Sequence, residues 1–184
     1  MIFKKIKTKI KEKEYLNYIT EHKSNVHDAL VEMVMCEELA YLWEDENFYN
    51  KMIDRIVDHD KSKFEAEEFN AYRKYFYPIN EEEKELAKEE FEKAWQHHLE
   101  NNDHHWQHRT NAVEFTEETQ LAILENVCDW LAMGYKFDNR PYNYYEKNKK
   151  EIILPEKDKK FLEMVIYALE KNCKAMTYNY GKRK

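Results

Sequence analysis

The chain of 184 residues contains only two glycines and three prolines. A β-rich fold of this length needs many more of both at its tight turns, so the scarcity excludes a sheet-dominated architecture and favours long helices joined by polar loops. Cysteine is nearly as scarce, and Cys36, Cys128 and Cys173 are widely spaced, odd in number and without a CxxC pair. That excludes a disulfide framework and a thiolate zinc knuckle and fits free thiols in a reducing cytoplasm. No apolar run approaches the ~18 residues of a membrane span, and the basic start MIFKKIKTKIKEKEY lacks the unbroken apolar stretch of a signal peptide. The expectation is a cytoplasmic protein with no membrane partner. Basic excess is also missing, since the formal charge is −7 and the pI about 5.7. That argues against an extended face for duplex nucleic acid, while a small phosphorylated or nucleotide ligand held by a few lysines and a metal stays allowed.

What is present is apolar material to close a core, 42%, and charge to cover it, 36%, so disorder is excluded. Length and composition suggest one domain over 1–184, an all-α bundle of about six or seven helices with a core of about 12–134 and a C-terminal helix of about 155–177 packed on it.

Helical spacing supplies the elements. Tyr15, Ile19, His22, Val26, Ala29 and Met33 mark the inward stripe of a first helix from about Glu12 to Leu39. Asn47 to about Asp60 forms a second, with Phe48, Met52, Ile56 and His59 on one side and Ile53, Val57 and Asp60 beside it. Ser62 and Glu65 have the spacing of a capping box, which starts a helix at Lys63 that runs to about Tyr75. Glu81 to about Glu100 follows, with Leu86, Phe91, Ala94, Trp95 and His98 inward. Thr116 caps a helix from Glu117 to Met133, striped by Leu121, Leu124, Cys128 and Leu131 and stopped by Gly134. Asp158 to about Lys174 is the last amphipathic helix.

The chemistry lies in imidazoles and carboxylates, which suit divalent transition metals. Helical neighbours diverge by ~100°, so such ligands must converge from separate segments. His22, the doublet His59-Asp60, His98 with the pair His104-His105, and Asp129 come from four of them. Phase favours His98 over His97, whereas His104 and His105 are not separated by it, and His27 and His108 read as surface residues. Lys63 is suited to steady a substrate phosphate beside the metal; Arg109, Lys61 and the pocket-side Trp106 are weaker candidates.

This order resembles that of the HD-domain metal-dependent phosphohydrolases. The string His59-Asp60-Lys-Ser-Lys63 is similar to that family's His-Asp-x-Gly-Lys, with Ser62 where glycine is usual. The resemblance implies a helical fold and a first metal held by His22, His59, Asp60 and Asp129. It also implies a second metal bridged by Asp60 and held by His98 with His104 or His105. One or two ions of Mn, Fe, Co, Ni or Zn would then serve hydrolysis of a nucleotide or other small phosphate ester, with Asp60 and Lys63 as the catalytic pair. Some members with similar ligands hold two irons and oxidise their substrates, which is the second expectation. The Gly-Tyr-Pro element of the cyclic-dinucleotide branch is absent. Phe91 to His98 and Asn102 to Trp106 also resemble the Phe-x-x-Ala-Trp-x-His-His and Asn-x-x-His-His-Trp strings of a small bacterial and phage family with no assigned activity. That resemblance allows a non-catalytic, phage-encoded binder of a nucleotide or host factor as the third expectation.

Overall fold

The structure, a computed structural model, describes the backbone of residues 2–181 and the side chains of residues 2–172. The Cys173 thiol therefore lies outside the described residues, whereas Cys36 and Cys128 are buried free thiols. Every regular element among the described residues is helical. Six helices have eleven residues or more: α1 Ile2–Val34, α2 Glu46–Asp58, α3 Ala66–Phe76, α5 Lys88–Asn101, α7 Glu117–Phe137 and α9 Glu156–Gly181. Three short ones, α4 Glu81–Leu86, α6 Trp106–Arg109 and α8 Pro141–Asn148, join them. No helix among the described residues is long and apolar enough to cross a membrane.

The apolar stripes account for the interior. Tyr15, Ile19, Val26, Ala29 and Met33 on α1 are all at most 1% exposed, although the helix begins at Ile2 rather than near Glu12 and its last expected turn is replaced by a 3-10 segment, Glu37–Trp43. On α7 the Thr116 hydroxyl accepts the Thr119 amide in a capping box, and Leu121, Leu124, Cys128 and Leu131 are fully buried. Each such leucine contributes roughly 1.5–3 kcal/mol of hydrophobic stabilisation.

Several local expectations are corrected. Gly134 does not stop α7, which continues to Phe137 and ends at Asp138 in the left-handed region. The glycine serves close approach instead, because a Cβ there would run into the Asn139 carbonyl oxygen. Glu81–Glu100 is two helices parted at Ala87, and Leu86 at the break is 73% exposed, not inward. Val57 is likewise 65% exposed. Ser62 caps nothing: residues Lys61–Phe64 form a 3-10 turn and α3 starts at Ala66 with no side-chain cap.

Two compact units divide the chain. The first, Met1–Lys23 with His59–Asp103, has an aromatic core of Tyr15, Ile19, Ala71, Tyr72 and Ala94, flanked by Tyr18, Phe69, Phe91 and Trp95. A buried ion pair, Arg73 to Glu83 at 2.8 Å, ties α3 to α4. The second, Ser24–Asp58 with His104–Lys184, is built on α7, against which α2 and α9 pack.

Candidate metal centre

In the first unit the inward stripe of α1 carries His22 one turn beyond Ile19, and His22 is 5% exposed. The Tyr18 ring stacks on it, 6.3 Å between centroids. His59 and Asp60, 1% and 2% exposed, both face the interior. On a continuous helix two neighbours would diverge by ~100°. They converge because α2 has already ended at Asp58 and Asp60 adopts the left-handed conformation, φ 55° and ψ 24°. Aspartate is one of the few residues that tolerates this region. Lys23 fixes the turn by donating to the His59 carbonyl at 2.8 Å.

Three donor atoms meet as a result. His22 Nε2 and His59 Nε2 are 3.4 Å apart, and Asp60 Oδ2 is 3.6 Å from the first and 3.5 Å from the second. The triangle is nearly equilateral, and its centre is about 2.0 Å from each corner, the bond length of a transition metal to imidazole or carboxylate. Buried His, Asp and Glu side chains among the described residues are thus close enough to hold a metal ion.

The other oxygen of Asp60, Oδ1, is 3.3 Å from Nε2 of His98 on α5. His98 is 1% exposed and His97 beside it is far more open, as helix phase predicts. Glu68 of α3, fully buried, accepts from both rings: His98 Nδ1–H at 2.9 Å and His97 Nδ1–H at 2.8 Å. With Nδ1 held by Glu68, the His98 ring turns Nε2 toward Asp60, the carboxylate–histidine arrangement that orients metal ligands. Burial raises the Glu68 pKa, but the hydrogen bonds from His98, Ser62 and His97 outweigh it and hold the carboxyl below its ordinary value. The Glu68 bond pushes the His97 pKa up. Trp95 stacks on His98 at 5.7 Å, and Asn102 donates to the Ser62 hydroxyl at 2.8 Å, so Ser62 belongs to this network.

Lys63 lies against Asp60. Its ammonium is 2.5 Å from Asp60 Oδ2 and 6.0 Å from the Tyr72 ring centroid. Burial, reinforced by the negative charge of Asp60 and Glu68, raises the pKa of Tyr15 and Tyr72, so both remain neutral phenols. Lys61 is exposed.

His104, His105 and Asp129 belong to the second unit. There His104, 3% exposed, has its Nδ1 3.0 Å from Glu125 Oε1, and Arg55 donates to the other Glu125 oxygen at 2.8 Å. This is the same carboxylate-backed histidine as His98. His105 is only half-buried, with its ring 4.3 Å from that of His104. Asp129 is half-buried on α7, one turn beyond Glu125. Arg109 is engaged structurally, donating to buried Asp158 and to the Glu114 carbonyl, both at 2.8 Å. Trp106 packs against the core of this unit. His27 and His108 are exposed.

Sequence reasoning missed Glu68 and gave Glu125 no role. Both sit on apolar stripes, Glu68 one turn before Ala71 and Tyr72 and Glu125 one turn after Leu121, and a carboxylate in such a position was the available signal.

Residues 11–168 match DUF5662, a family of unknown function. No curated protein and no solved structure matches the chain.

Proposed function

The chain belongs to the DUF5662 family, whose description assigns no activity, and from the buried centre we propose that it is a metal-dependent phosphohydrolase or phosphodiesterase of a nucleotide or other small phosphate ester. The observation that carries this reading is the triangle of His22 Nε2, His59 Nε2 and Asp60 Oδ2 with edges of 3.4–3.6 Å. Imidazole-rich sites favour Mn, Fe, Co, Ni or Zn over Mg. A divalent ion held there supplies Lewis acidity, which makes water a nucleophile near neutral pH and polarises a phosphoryl oxygen.

The chain's own groups have distinct tasks. His22 and His59 bind through Nε2 and leave the ring otherwise fixed by the packing of Tyr18 and the turn at Asp60. Asp60 uses Oδ2 in the triangle and turns Oδ1 to His98, so the carboxylate is able to serve two ions. Glu68 holds His98 in orientation. Lys63, seated on Asp60, supplies a positive side chain placed to meet a phosphate at this centre. The ligand order resembles that of HD-domain phosphohydrolases, which supports the choice of ester hydrolysis.

The test is metal analysis of protein purified without chelator, joined to a turnover screen on nucleotides and cyclic nucleotides with Asp60→Asn alongside. Asparagine keeps the side-chain volume and tolerates the left-handed backbone. The expected result is bound transition metal and ester cleavage, both lost in Asp60→Asn. Iron with oxygen consumption and no ester cleavage would favour an oxygenase. Tight nucleotide binding without turnover would make the protein a binder, and protein that cannot be loaded with metal would remove the reading.

A further inference from the structure

The exposed face of the first helix has no part in the metal centre. Ile2, Phe3, Ile6 and Ile10 are 73%, 83%, 49% and 51% exposed. At ~100° per residue they occupy about a third of the helix circumference. The face that enters the core of the first unit, Tyr15, Ile19 and His22, is on the opposite side, so the apolar arc points away from the body that α1 helps to build. Lys7 and Lys9 border the arc on its two sides. Residues 2–13 carry six lysines and a single acidic residue, Glu12, in a chain whose net charge is −7.

We infer that residues 2–13 of α1 dock on an anionic lipid surface, lying in the plane of the bilayer with Ile2, Phe3, Ile6 and Ile10 below the headgroups and the lysines among the phosphates. An apolar arc bordered by lysines whose stems can cover apolar surface while their charges stay in water is the pattern of an in-plane membrane helix. Charge complementarity selects the occupant. A second copy of this face would set Lys7 and Lys9 at the arc's borders, with Lys13 one turn on, against the same lysines. Nucleic acid would use the lysines and leave the apolar arc in water. A bilayer with anionic headgroups satisfies both, each lysine adding attraction within the Debye length of the surface. No helix among the described residues is long and apolar enough to cross a membrane, and an in-plane helix need not be.

The experiment is co-sedimentation of the full chain with vesicles of phosphatidylcholine alone and of phosphatidylcholine mixed with an equal part of phosphatidylglycerol, at low and high salt. The wild type is compared with Ile6→Glu/Ile10→Glu and Lys7→Gln/Lys9→Gln. All four positions are exposed, so the variants should keep the wild-type circular dichroism and melting temperature, which are measured first. The mixed vesicles are expected to bind the wild type at least about ten-fold more tightly than the neutral ones, as a few lysines near such a surface imply. Each double variant should lose most of that binding. Three results would overturn the proposal: no preference for anionic vesicles, equal binding by Ile6→Glu/Ile10→Glu, or a wild-type dimer in light scattering that this variant dissolves. Retention of an RNA or duplex DNA probe without vesicle binding would overturn it as well.

Discussion

Removing the ammonium of Lys63 should strengthen metal binding. Lys63 Nζ sits 2.5 Å from Asp60 Oδ2, the oxygen that closes the triangle with His22 and His59. The two side chains are 15% and 3% exposed, so water screens the pair poorly. A charged hydrogen bond in such surroundings stabilises by about 1.5–3 kcal/mol. An ion held by His22, His59 and Asp60 would compete with the ammonium for Oδ2, so the wild type would give up this contribution on binding. Lys63→Met never has it. The metal-free variant should therefore be less stable by that amount, and its metal affinity should rise by the same free energy, roughly ten- to a hundred-fold. Urea unfolding in excess chelator reads the first quantity, and competition with a chromophoric chelator for zinc or manganese reads the second. The two changes must be opposite in sign and similar in size. Phosphate-ester turnover should nonetheless fall by roughly ten-fold or more, because the displaced ammonium is the group that meets the phosphate. A fall in metal affinity, or unchanged stability in chelator, would refute the competition and leave Lys63 as a supporting residue of the turn.

Other outcomes follow from single contacts. Glu68→Gln keeps the shape but withdraws the charge that orients His98, and metal affinity should drop by about 10–100-fold in the same chelator competition. His97 has a pKa raised above 6.5 and Glu68 one lowered below 4.5. The histidine's contribution is therefore whole below 6.5 and lost as pH rises through its folded value, while the carboxylate's is whole above 4.5 and lost as pH falls through its folded value. In chelator, the gap in melting temperature between wild type and His97→Gln should be widest between those values and close at alkaline pH. Gly134→Ala forces a Cβ into the Asn139 carbonyl and should cost about 1–3 kcal/mol in urea unfolding while leaving metal content unchanged.

The periodic parts of the fold were legible because burial repeats with the helix. The α1 stripe places His22 inward with Ile19 and Val26, and the phase of α5 separates buried His98 from open His97. Punctuation was less legible, since one residue type can serve two ends. Glycine is the usual signal for a helix stop, yet Gly134 is kept small by the chain returning at Asn139. Ser62 and Glu65 have capping spacing, but the serine hydroxyl is occupied by Asn102, brought from forty residues away. The break at Ala87 has neither glycine nor proline to announce it. Its amide closes onto both Glu83 and Lys84 carbonyls, a tightened last turn that depends on coordinates and not on residue type.

The centre itself depends on one dihedral pair. His59 and Asp60 are legible as a doublet, but on an ideal helix only one of them would face inward. The left-handed turn at Asp60 brings both to His22, and its strain is sustained by the Lys23 bond to the His59 carbonyl. Two of the contacts so formed, imidazole Nε2 to imidazole Nε2 at 3.4 Å and imidazole Nε2 to carboxylate Oδ1 at 3.3 Å, set lone pairs against each other unless a proton or a cation lies between. A fold that only needed filling at this position would close it with apolar side chains, as Leu121, Leu124 and Leu131 do on α7. Burying facing acceptors is costly. A positive species between them would offset the cost, and His22, His59 and Asp60 are the residues that would hold a divalent ion there.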